Sequence, residues 1–203
     1  MLIEHPPGWF RRLLYRDSFW RIPAQPKGIY LTFDDGPTPE VTPWVLDQLA
    51  RYGVHATFFC VGDNVARYPA LFERIKAEGH RVGNHTMNHI QGLRYGTRPY
   101  LSNVEKANKL IQSDLFRPPH GWLRWGQARV LQNKYRIIMW DIVTRDYSNR
   151  VDADAVFRNV VRYTRNGSII TFHDTTKSWH NLQQALPRSI EWLLAEGYRF
   201  RRL

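Results

Sequence analysis

Short apolar segments alternate with amphipathic ones along most of this chain, and the alternation restricts the fold more than any other feature. Apolar runs that predict β-strands occupy residues 29–33, 56–61, 81–84, 115–117, 136–140, 168–172 and 198–201. Helical patterns fill the intervals between them. Near-continuously apolar strands that are joined by helical crossovers form a parallel sheet covered by helices. The sequence therefore predicts an α/β fold of about seven parallel strands, either open or closed into a barrel.

The intervening helices carry recognisable start and stop signals. In the first helix Thr42 is the predicted N-cap, Pro43 takes the first helical position, and Gly53 ends the helix. Another helix is expected to begin at Asp152 and to end at Gly167. The remaining helices are predicted at residues 69–78, 100–113 and 125–134, with a last one that ends at Gly197.

Polar residues that follow directly after strands are the candidates for a functional site. Ligand sites in parallel α/β folds lie at the carboxyl ends of the strands. The polar residues in these places are Asp34 and Asp35, His85 and His89, Arg117 and His120, Asp141 and Asp146, and His173 and Asp174. Each has an ordinary structural explanation on its own, but titratable groups that converge on one face are what an active site requires.

Asp34 and Asp35 stand at the end of the first strand and precede Gly36-Pro37, a pair that favours a sharp turn. Two adjacent carboxylates at the mouth of a buried strand need compensating partners, and a metal ion would be one. Successive residues of an extended segment point in opposite directions. The two carboxylates therefore need not share one role.

His85 and His89 are four positions apart and face one another if their segment is helical. Two histidines with this spacing bind zinc in the His-Glu-x-x-His motif, in which the glutamate is the general base. The residues between the two histidines of this chain include no carboxylate. A third ligand and a base must then come from elsewhere, and the aspartate pair can provide both.

Five motifs occur along the chain in a particular order. They are Thr32-Phe33-Asp34-Asp35-Gly36-Pro37, His85-Thr86-x-x-His89, Arg117-Pro118-Pro119-x-Gly121, the Trp140 to Tyr147 segment, and Phe172-His173-Asp174. In this order they resemble the motifs of polysaccharide deacetylases, the NodB-homology domain of carbohydrate esterase family four. The resemblance covers residues 25 to 203 and implies a distorted (β/α) barrel. It also implies a hydrolase that removes N-linked acetyl groups from glycans with one divalent metal ion, commonly zinc, although such ligands also accept cobalt or nickel.

The resemblance also implies a role for individual residues. It places the metal ligands on Asp35, His85 and His89. The catalytic base falls on Asp34 and the catalytic acid on His173, so that the metal activates water, the aspartate accepts its proton and the histidine protonates the leaving amine. Arg117 is then expected to orient Asp34. Asp146 is expected to lie beside His173, because a nearby carboxylate raises the pKa of a histidine.

Three residues depart from the pattern of the family. Val143 stands where an aspartate is common, Tyr147 where a tryptophan is, and Thr171 where a leucine usually lines the acetyl pocket. These departures affect the acyl pocket and the preferred substrate, and they leave the metal ligands intact. The substrate-binding residues that we expect are Pro118, His120, Gly121, Trp122, Tyr147 and Thr171. Aromatic faces pack well on sugars, although core packing is an equal alternative for Trp122.

Length and composition indicate one domain with an extension. The 203 residues, of which 43% are hydrophobic, suffice for a single core, and we assign residues 25–203 to the domain and residues 1–24 to an N-terminal extension. The extension mixes aromatic and basic residues, as in Trp9-Phe10-Arg11-Arg12, and either lies on a membrane surface or packs on the domain as a clasp. The sequence contains no apolar run that could span a membrane and no evident signal peptide. A cytoplasmic or membrane-peripheral location is therefore expected.

The charge of the chain narrows the choice of partners. A net charge of +11 and a pI near 10.1 favour polyanions, but the basic residues are dispersed and no nucleic-acid-binding signature occurs. We therefore expect an N-acetylated glycan and no nucleic acid as the partner. Two other classes of function remain open, a glycan-binding protein of the same fold without turnover and a membrane-surface module. The single cysteine, Cys60, lies in an apolar run and is expected to be a core thiol.

Overall fold

The computed structural model describes residues 5–9, 17–24 and 26–203, and its centre is a parallel sheet. Its eight described strands are β1 (Gly28–Asp34), β2 (Thr57–Cys60), β3 (Arg81–Asn84), β4 (Leu115–Phe116), β5 (Arg136–Ile137), β6 (Ile142–Val143), β7 (Ile169–His173) and β8 (Arg199–Phe200). The spatial order is β5-β4-β3-β2-β1-β7-β6, and β8 pairs with the start of β1. The sheet curls into a half-barrel, which confirms the predicted fold class.

Helices surround this sheet at most of the predicted positions. In the described part of the chain they are α1 (Thr42–Arg51), α2 (Gly62–Arg67), α3 (Pro69–Ala77), α4 (Thr97–Ile111), α5 (Trp125–Leu131), α6 (Ala153–Tyr163) and α7 (Trp179–Ala195). Asp152 caps α6 as predicted, because its carboxylate accepts a hydrogen bond of 2.7 Å from the N–H of Ala155. The short helix α2 has no counterpart in the sequence prediction.

Two local predictions are wrong. Thr42 is the first residue of α1 and Val41 is its N-cap, because the N–H of Thr42 already donates to the carbonyl of Thr38 at 3.0 Å; the Thr42 hydroxyl donates a 2.6 Å hydrogen bond to the carboxylate of Asp174. The strand predicted at 136–140 ends at Ile137, and the chain rejoins the sheet as the additional strand β6. Ile138, Met139 and Trp140, which follow β5, are buried and apolar in either arrangement, so their pattern does not reveal the break.

Side-chain alternation along β1 decides which residues face the interior of the barrel. Phe33 belongs to the apolar cluster beneath the helices, whereas Tyr30 belongs to the cluster inside the barrel. The period of two turns Thr32 and Asp34 to the same side as Tyr30. The strand β7 runs parallel beside β1 and places His173 opposite Asp34. Both side chains therefore reach the same mouth of the barrel.

Residues 17–24 connect the end of β5 with the residues that precede β7. The N–H of Phe19 donates to the carbonyl of Ile137 at 2.9 Å, and the N–H of Met139 donates to the carbonyl of Phe19 at 2.8 Å. Further along, the N–H of Ile22 donates to the carbonyl of Gly167 at 2.9 Å. These bonds favour the clasp alternative for this stretch. Residues 10–16, on which the membrane-surface alternative depends, lie outside the described residues.

Among the helices that the structure describes, none combines the length and the apolar character that crossing a membrane needs.

Replacing Trp20 by alanine tests whether the clasp contributes to the core. The side chain of Trp20 is only 6% exposed and packs edge-on against Trp140, with ring centroids 6.3 Å apart. We expect Trp20→Ala to lower the free energy of unfolding by about 3 kcal/mol, as for other buried aromatic side chains. The matched control is Trp9→Ala in the same extension, since Trp9 is 69% exposed. Equal stability of the two variants in urea unfolding would contradict the clasp.

Candidate active site

A cavity of about 310 Å³ opens at the carboxyl ends of the central strands. Its lining consists of Asp34, Asp35, His85, His89, His120, Trp140, Val143, Tyr147, Thr171, His173, Thr175 and Lys177. Most of these residues belong to the motifs that the sequence singled out, although the motifs are far apart along the chain. The parallel strand order therefore brings the motif residues into one pocket.

Asp34 is held by a fully buried arginine. Nη1 of Arg117 lies 2.6 Å from Oδ1 of Asp34, and both side chains are almost completely inaccessible to water. An ion pair in such surroundings is tolerated only when its remaining hydrogen-bonding groups are also satisfied. The second carboxylate oxygen of Asp34, Oδ2, is the one that Arg117 leaves for other partners.

The guanidinium of Arg117 donates three further hydrogen bonds. Nη1 also donates to the hydroxyl of Thr32 at 2.9 Å, Nη2 to the carbonyl of Met139 at 2.9 Å, and Nε to the carbonyl of Ile138 at 3.3 Å. The guanidinium carbon lies 4.1 Å from the centre of the Phe59 ring. Burial lowers the pKa of Arg117 while the charge of Asp34 opposes that change. These contacts fix the arginine, and through it Asp34, in one orientation.

The backbone at Asp35 differs from the extended conformation that we expected. Asp35 has a φ of 82°, a left-handed value that aspartate adopts more readily than most residues. Two bonds stabilise it: Asn64 Nδ2 donates to the Asp35 carbonyl at 2.8 Å, and the Asp35 N–H donates to the Phe59 carbonyl at 3.2 Å. Because of this turn, the carboxylates of Asp34 and Asp35 line one cavity but contact different partners.

His85 and His89 approach Asp35 from a loop and not from a helix. The residues after β3 form no regular structure, and Thr86 and His89 have φ values of 66° and 53°. The helical arrangement that we considered is therefore wrong. The two imidazole rings nevertheless lie close together, with centroids 5.1 Å apart.

The three side chains have the geometry of a small metal site. Nε2 of His85 and Nε2 of His89 lie 3.4 Å and 3.1 Å from Oδ1 of Asp35, and one ligand atom from each residue falls within 4.8 Å of the others. Ligand atoms at about 2.1 Å from a tetrahedral zinc ion are about 3.4 Å apart, so the donor set fits such an ion. Nδ1 of His85 lies 2.8 Å from the carbonyl of Arg117, which directs Nε2 towards the site.

The charges of this cluster stabilise one another. Burial opposes ionisation of Asp35, but hydrogen bonds with His85 and His89 hold its pKa well below the ordinary value. Burial lowers the pKa of His89, but the hydrogen bond and charge of Asp35 outweigh it and leave that pKa raised. A metal ion would therefore displace a proton from His89, and its affinity should increase with pH.

His173 is paired with a second buried carboxylate. Its Nδ1 lies 2.8 Å from Oδ1 of Asp146, and its backbone N–H donates to Oδ2 of Asp146 at 2.8 Å. Burial disfavours the charged imidazole, but the charge and hydrogen bond of Asp146 prevail and raise the pKa of His173 to about 9. The Tyr147 ring packs edge-on against the imidazole, with centroids 4.6 Å apart. Nε2 of His173 is thus the ring nitrogen that Asp146 leaves for the cavity.

Two aspartates at strand ends serve other parts of the structure. Asp141 is fully buried and binds Arg165 through both carboxylate oxygens, at 3.0 and 3.1 Å, and Ser168 at 2.7 Å. Asp174 accepts a 3.1 Å hydrogen bond from the N–H of Gly36. Burial raises the pKa of Asp174, and the hydrogen bond from Thr42 offsets only part of the increase, so that the pKa is about 8. Neither carboxylate lines the cavity.

The turn after Arg117 contributes less to the cavity than its motif predicts. Of its residues His120 lines the cavity, with its ring 4.8 Å from that of His89, whereas Pro118, Gly121 and Trp122 do not. Burial and the neighbouring histidines lower the pKa of His120 to about 4. Gly121 lies behind the cavity wall, where a Cβ atom would come within 2.6 Å of the Trp140 ring.

Four lining residues are absent from the set of site residues predicted from the sequence. They are Trp140, Val143, Thr175 and Lys177. Trp140 and Val143 lie within the fourth motif, so that motif carried a signal for both. Thr175 and Lys177 follow His173 in an irregular segment. No spacing marks them, because only the fold turns this segment towards the cavity.

Comparisons with known proteins agree with this architecture. The family model for polysaccharide deacetylases matches residues 21–137. A peptidoglycan-N-acetylglucosamine deacetylase of Bacillus cereus is 33% identical over 189 residues, which cover 89% of this chain and 88% of the relative. A chitooligosaccharide deacetylase of a Bradyrhizobium species is 36% identical over 156 residues, covering 73% and 71% of the two chains.

A solved structure extends the likeness to the whole fold. The Bc1960 peptidoglycan N-acetylglucosamine deacetylase, in complex with 4-naphthalen-1-yl-N-oxidanyl-benzamide, superposes with a TM-score of 0.88 and 31% identity, and the match covers 98% of this chain and 94% of the other. The fold and the cavity thus define a parallel-barrel protein with a metal-type donor cluster. This chain belongs to the polysaccharide deacetylase family.

The His173–Asp146 pair predicts how stability depends on pH in the metal-free protein. A histidine whose pKa is raised to about 9 on folding stabilises the protein fully below its ordinary pKa, near 6.5. That stabilisation is lost as the pH rises from 6.5 through 9 and amounts to about 3 kcal/mol. We expect the unfolding free energy of the parent to fall over this interval and that of Asp146→Asn to fall much less. The same pH dependence in both proteins would contradict the pairing.

Proposed function

We propose that this protein is a metal-dependent hydrolase that removes N-acetyl groups from amino-sugar residues of a glycan. The observation that carries the proposal is the separation of two adjacent aspartates: Arg117 holds Asp34, and two histidines hold Asp35. The names of the relatives support a substrate built on N-acetylglucosamine, as in peptidoglycan and chitooligosaccharides. We assign the activity to residues 25–203, with Phe19–Ile22 of the extension closing the barrel.

Asp35, His85 and His89 would hold one divalent ion, for which we propose zinc. When bound, such an ion lowers the pKa of water and polarises the amide carbonyl of the substrate. One carboxylate and two imidazoles leave coordination positions open, as catalytic zinc sites require. Cobalt or nickel fits the same nitrogen and oxygen donors. The carbonyl of Arg117, which binds Nδ1 of His85, would keep that ligand in place before the ion arrives.

Asp34 is the proposed general base. Oδ1 is occupied by Arg117 at 2.6 Å, so Oδ2 is the oxygen that accepts a proton from the attacking water. The fixed guanidinium prevents the carboxylate from turning away towards the metal ligands. Arg117 is therefore a positioning residue for Asp34.

His173 is the proposed general acid. An amide anion is too poor a leaving group to depart unprotonated, so the amine nitrogen must receive a proton as the carbon–nitrogen bond breaks. The pKa of His173, raised to about 9, keeps the imidazole protonated at neutral pH. Because Nδ1 faces Asp146, the proton is delivered from Nε2.

The oxygen that becomes negative during attack needs a hydrogen-bond donor from the turn after Arg117. Pro118 and Pro119 have no N–H, and the N–H groups of Gly121 and Trp122 donate to the carbonyls of these two prolines. The N–H of His120 remains, and we propose it as that donor. The acyl group would then lie towards Val143 and Thr171, which line the same cavity.

Acetate release from a panel of N-acetylated glycans tests the assignment of base and acid. We expect Asp34→Asn and His173→Ala each to lower turnover by at least about a hundredfold, since each removes a proton-transfer group. The matched control is Asp154→Asn, which removes a surface carboxylate paired with Arg188. Variants of Asp34 or His173 that stay within a few-fold of the parent would show the roles to be wrong.

Metal removal tests the cofactor. Treatment with a chelator should abolish acetate release, because Asp34 alone is too weak a base to deprotonate ordinary water. Added zinc should restore it in the parent and fail to restore it in His89→Ala. Full turnover in chelated protein with no residual metal by elemental analysis would exclude this mechanism.

A further inference from the structure

Two further cavities share lining residues with the catalytic cavity, and the three together are here called the groove. The catalytic cavity shares His89 and His120 with a cavity of about 540 Å³ that also contains Arg94 and Tyr95. It shares Lys177 with a cavity of about 520 Å³, here called the flanking cavity. The flanking cavity is lined by Asn149, Arg150, Val151, Asp152, Lys177, His180 and Asn181. A set of adjoining cavities suits a chain of sugars better than a single sugar.

Basic side chains dominate the flanking cavity. Arg150, Lys177 and His180 are all exposed at its surface. Neither Arg150 nor Lys177 forms an ion pair with a carboxylate in the described part of the chain. The one acidic lining residue, Asp152, is engaged elsewhere: its Oδ1 accepts the N–H of Ala155 and lies 3.9 Å from Nη2 of Arg158. Arg150 and Lys177 thus outnumber the single carboxylate of Asp152, and the lining has a net positive charge that an anionic ligand can meet.

The flanking cavity lies close to the proposed catalytic acid, and hydrogen bonds fix part of its lining. Nζ of Lys177 lies 5.7 Å from the centre of the Tyr147 ring, and that ring packs against His173. One aromatic ring therefore separates the ammonium group from the proposed acid. Asn181 fixes this part of the lining, because its Nδ2 donates to the carbonyls of Asp146 at 3.0 Å and Val151 at 3.1 Å.

We propose that the flanking cavity binds a carboxylate carried by the glycan next to the N-acetylated sugar. This inference rests on the proposed function and adds an acidic substrate class to it. The planar guanidinium of Arg150 matches a carboxylate with two parallel hydrogen bonds, and the Lys177 ammonium adds a point charge. Two sources supply the same chemistry, a uronate carboxylate at C6 and a lactyl carboxylate on O3 of the neighbouring sugar. The net charge of +11 would also favour the approach of such a chain.

Matched charged and neutral substrates test this site. The probes are two tetramers of N-acetylated sugars, one with C6 carboxylates and one with O3-lactyl carboxylates, each compared with its own methyl ester. The measured quantity is the ratio of kcat/KM for acid over ester, in which a general loss of activity cancels. We expect a ratio of about ten in the parent for at least one acid, arising in KM and decreasing as salt screens the charges. The acid that shows it identifies the source of the carboxylate.

Charge-removing variants localise the effect. Lys177→Gln and Arg150→Gln should each lower the ratio by about threefold, within the range for exposed ion pairs, and Lys177→Arg should preserve most of it. Lys109→Gln on α4 removes the same charge outside the groove and should leave the ratio unchanged. Turnover of the esters with ratios near one for both acids would overturn this inference and leave the proposed function intact. Absence of turnover on every probe and on neutral N-acetylglucosamine oligomers would overturn both.

Discussion

The ion pair between Arg117 and Asp34 is the contact on which the rest of the site depends. A fully buried guanidinium is tolerated here only because its nitrogens also meet Thr32, Ile138 and Met139. Those partners come from β1 and from the segment after β5, so one side chain ties distant parts of the sheet together at the mouth of the barrel. The backbone carbonyl of the same arginine orients His85. The positions of the proposed base and of a proposed metal ligand therefore rest on one residue.

The separation of roles between adjacent aspartates follows from the backbone and from charge. Asp34 ends a regular strand and points into the barrel, where Arg117 compensates it. Asp35 has a left-handed backbone conformation and contacts the loop after β3, where His85 and His89 hold its pKa low. Two negative charges so close together would repel each other without separate partners. Opposite the pair, His173 and Asp146 form a second compensated unit, so the proposed base and the proposed acid each have their own counter-charge.

The sequence predicts the α/β class, most helices and most of the residues that line the cavity, because strand periodicity and the position of polar residues after strands are local features of the sequence. It does not predict the loop conformation around His85 and His89, since left-handed backbone at Thr86 and His89 is stabilised by tertiary contacts. The burial of Arg117 depends on strand register, which a single sequence does not reveal. Lys177 belongs to none of the five motifs. Its proximity to Tyr147 arises only when the segment after β7 folds over the cavity.

Anomalous diffraction from crystals of the zinc-loaded protein tests the division of roles between Asp34 and Asp35. We expect one zinc ion bound by a carboxylate oxygen of Asp35 and by Nε2 of His85 and of His89. Asp34 should remain outside the coordination sphere, with Oδ1 still on Arg117. Zinc bound through Asp34, or an ion that is absent from these three ligands at saturating concentration, would contradict it.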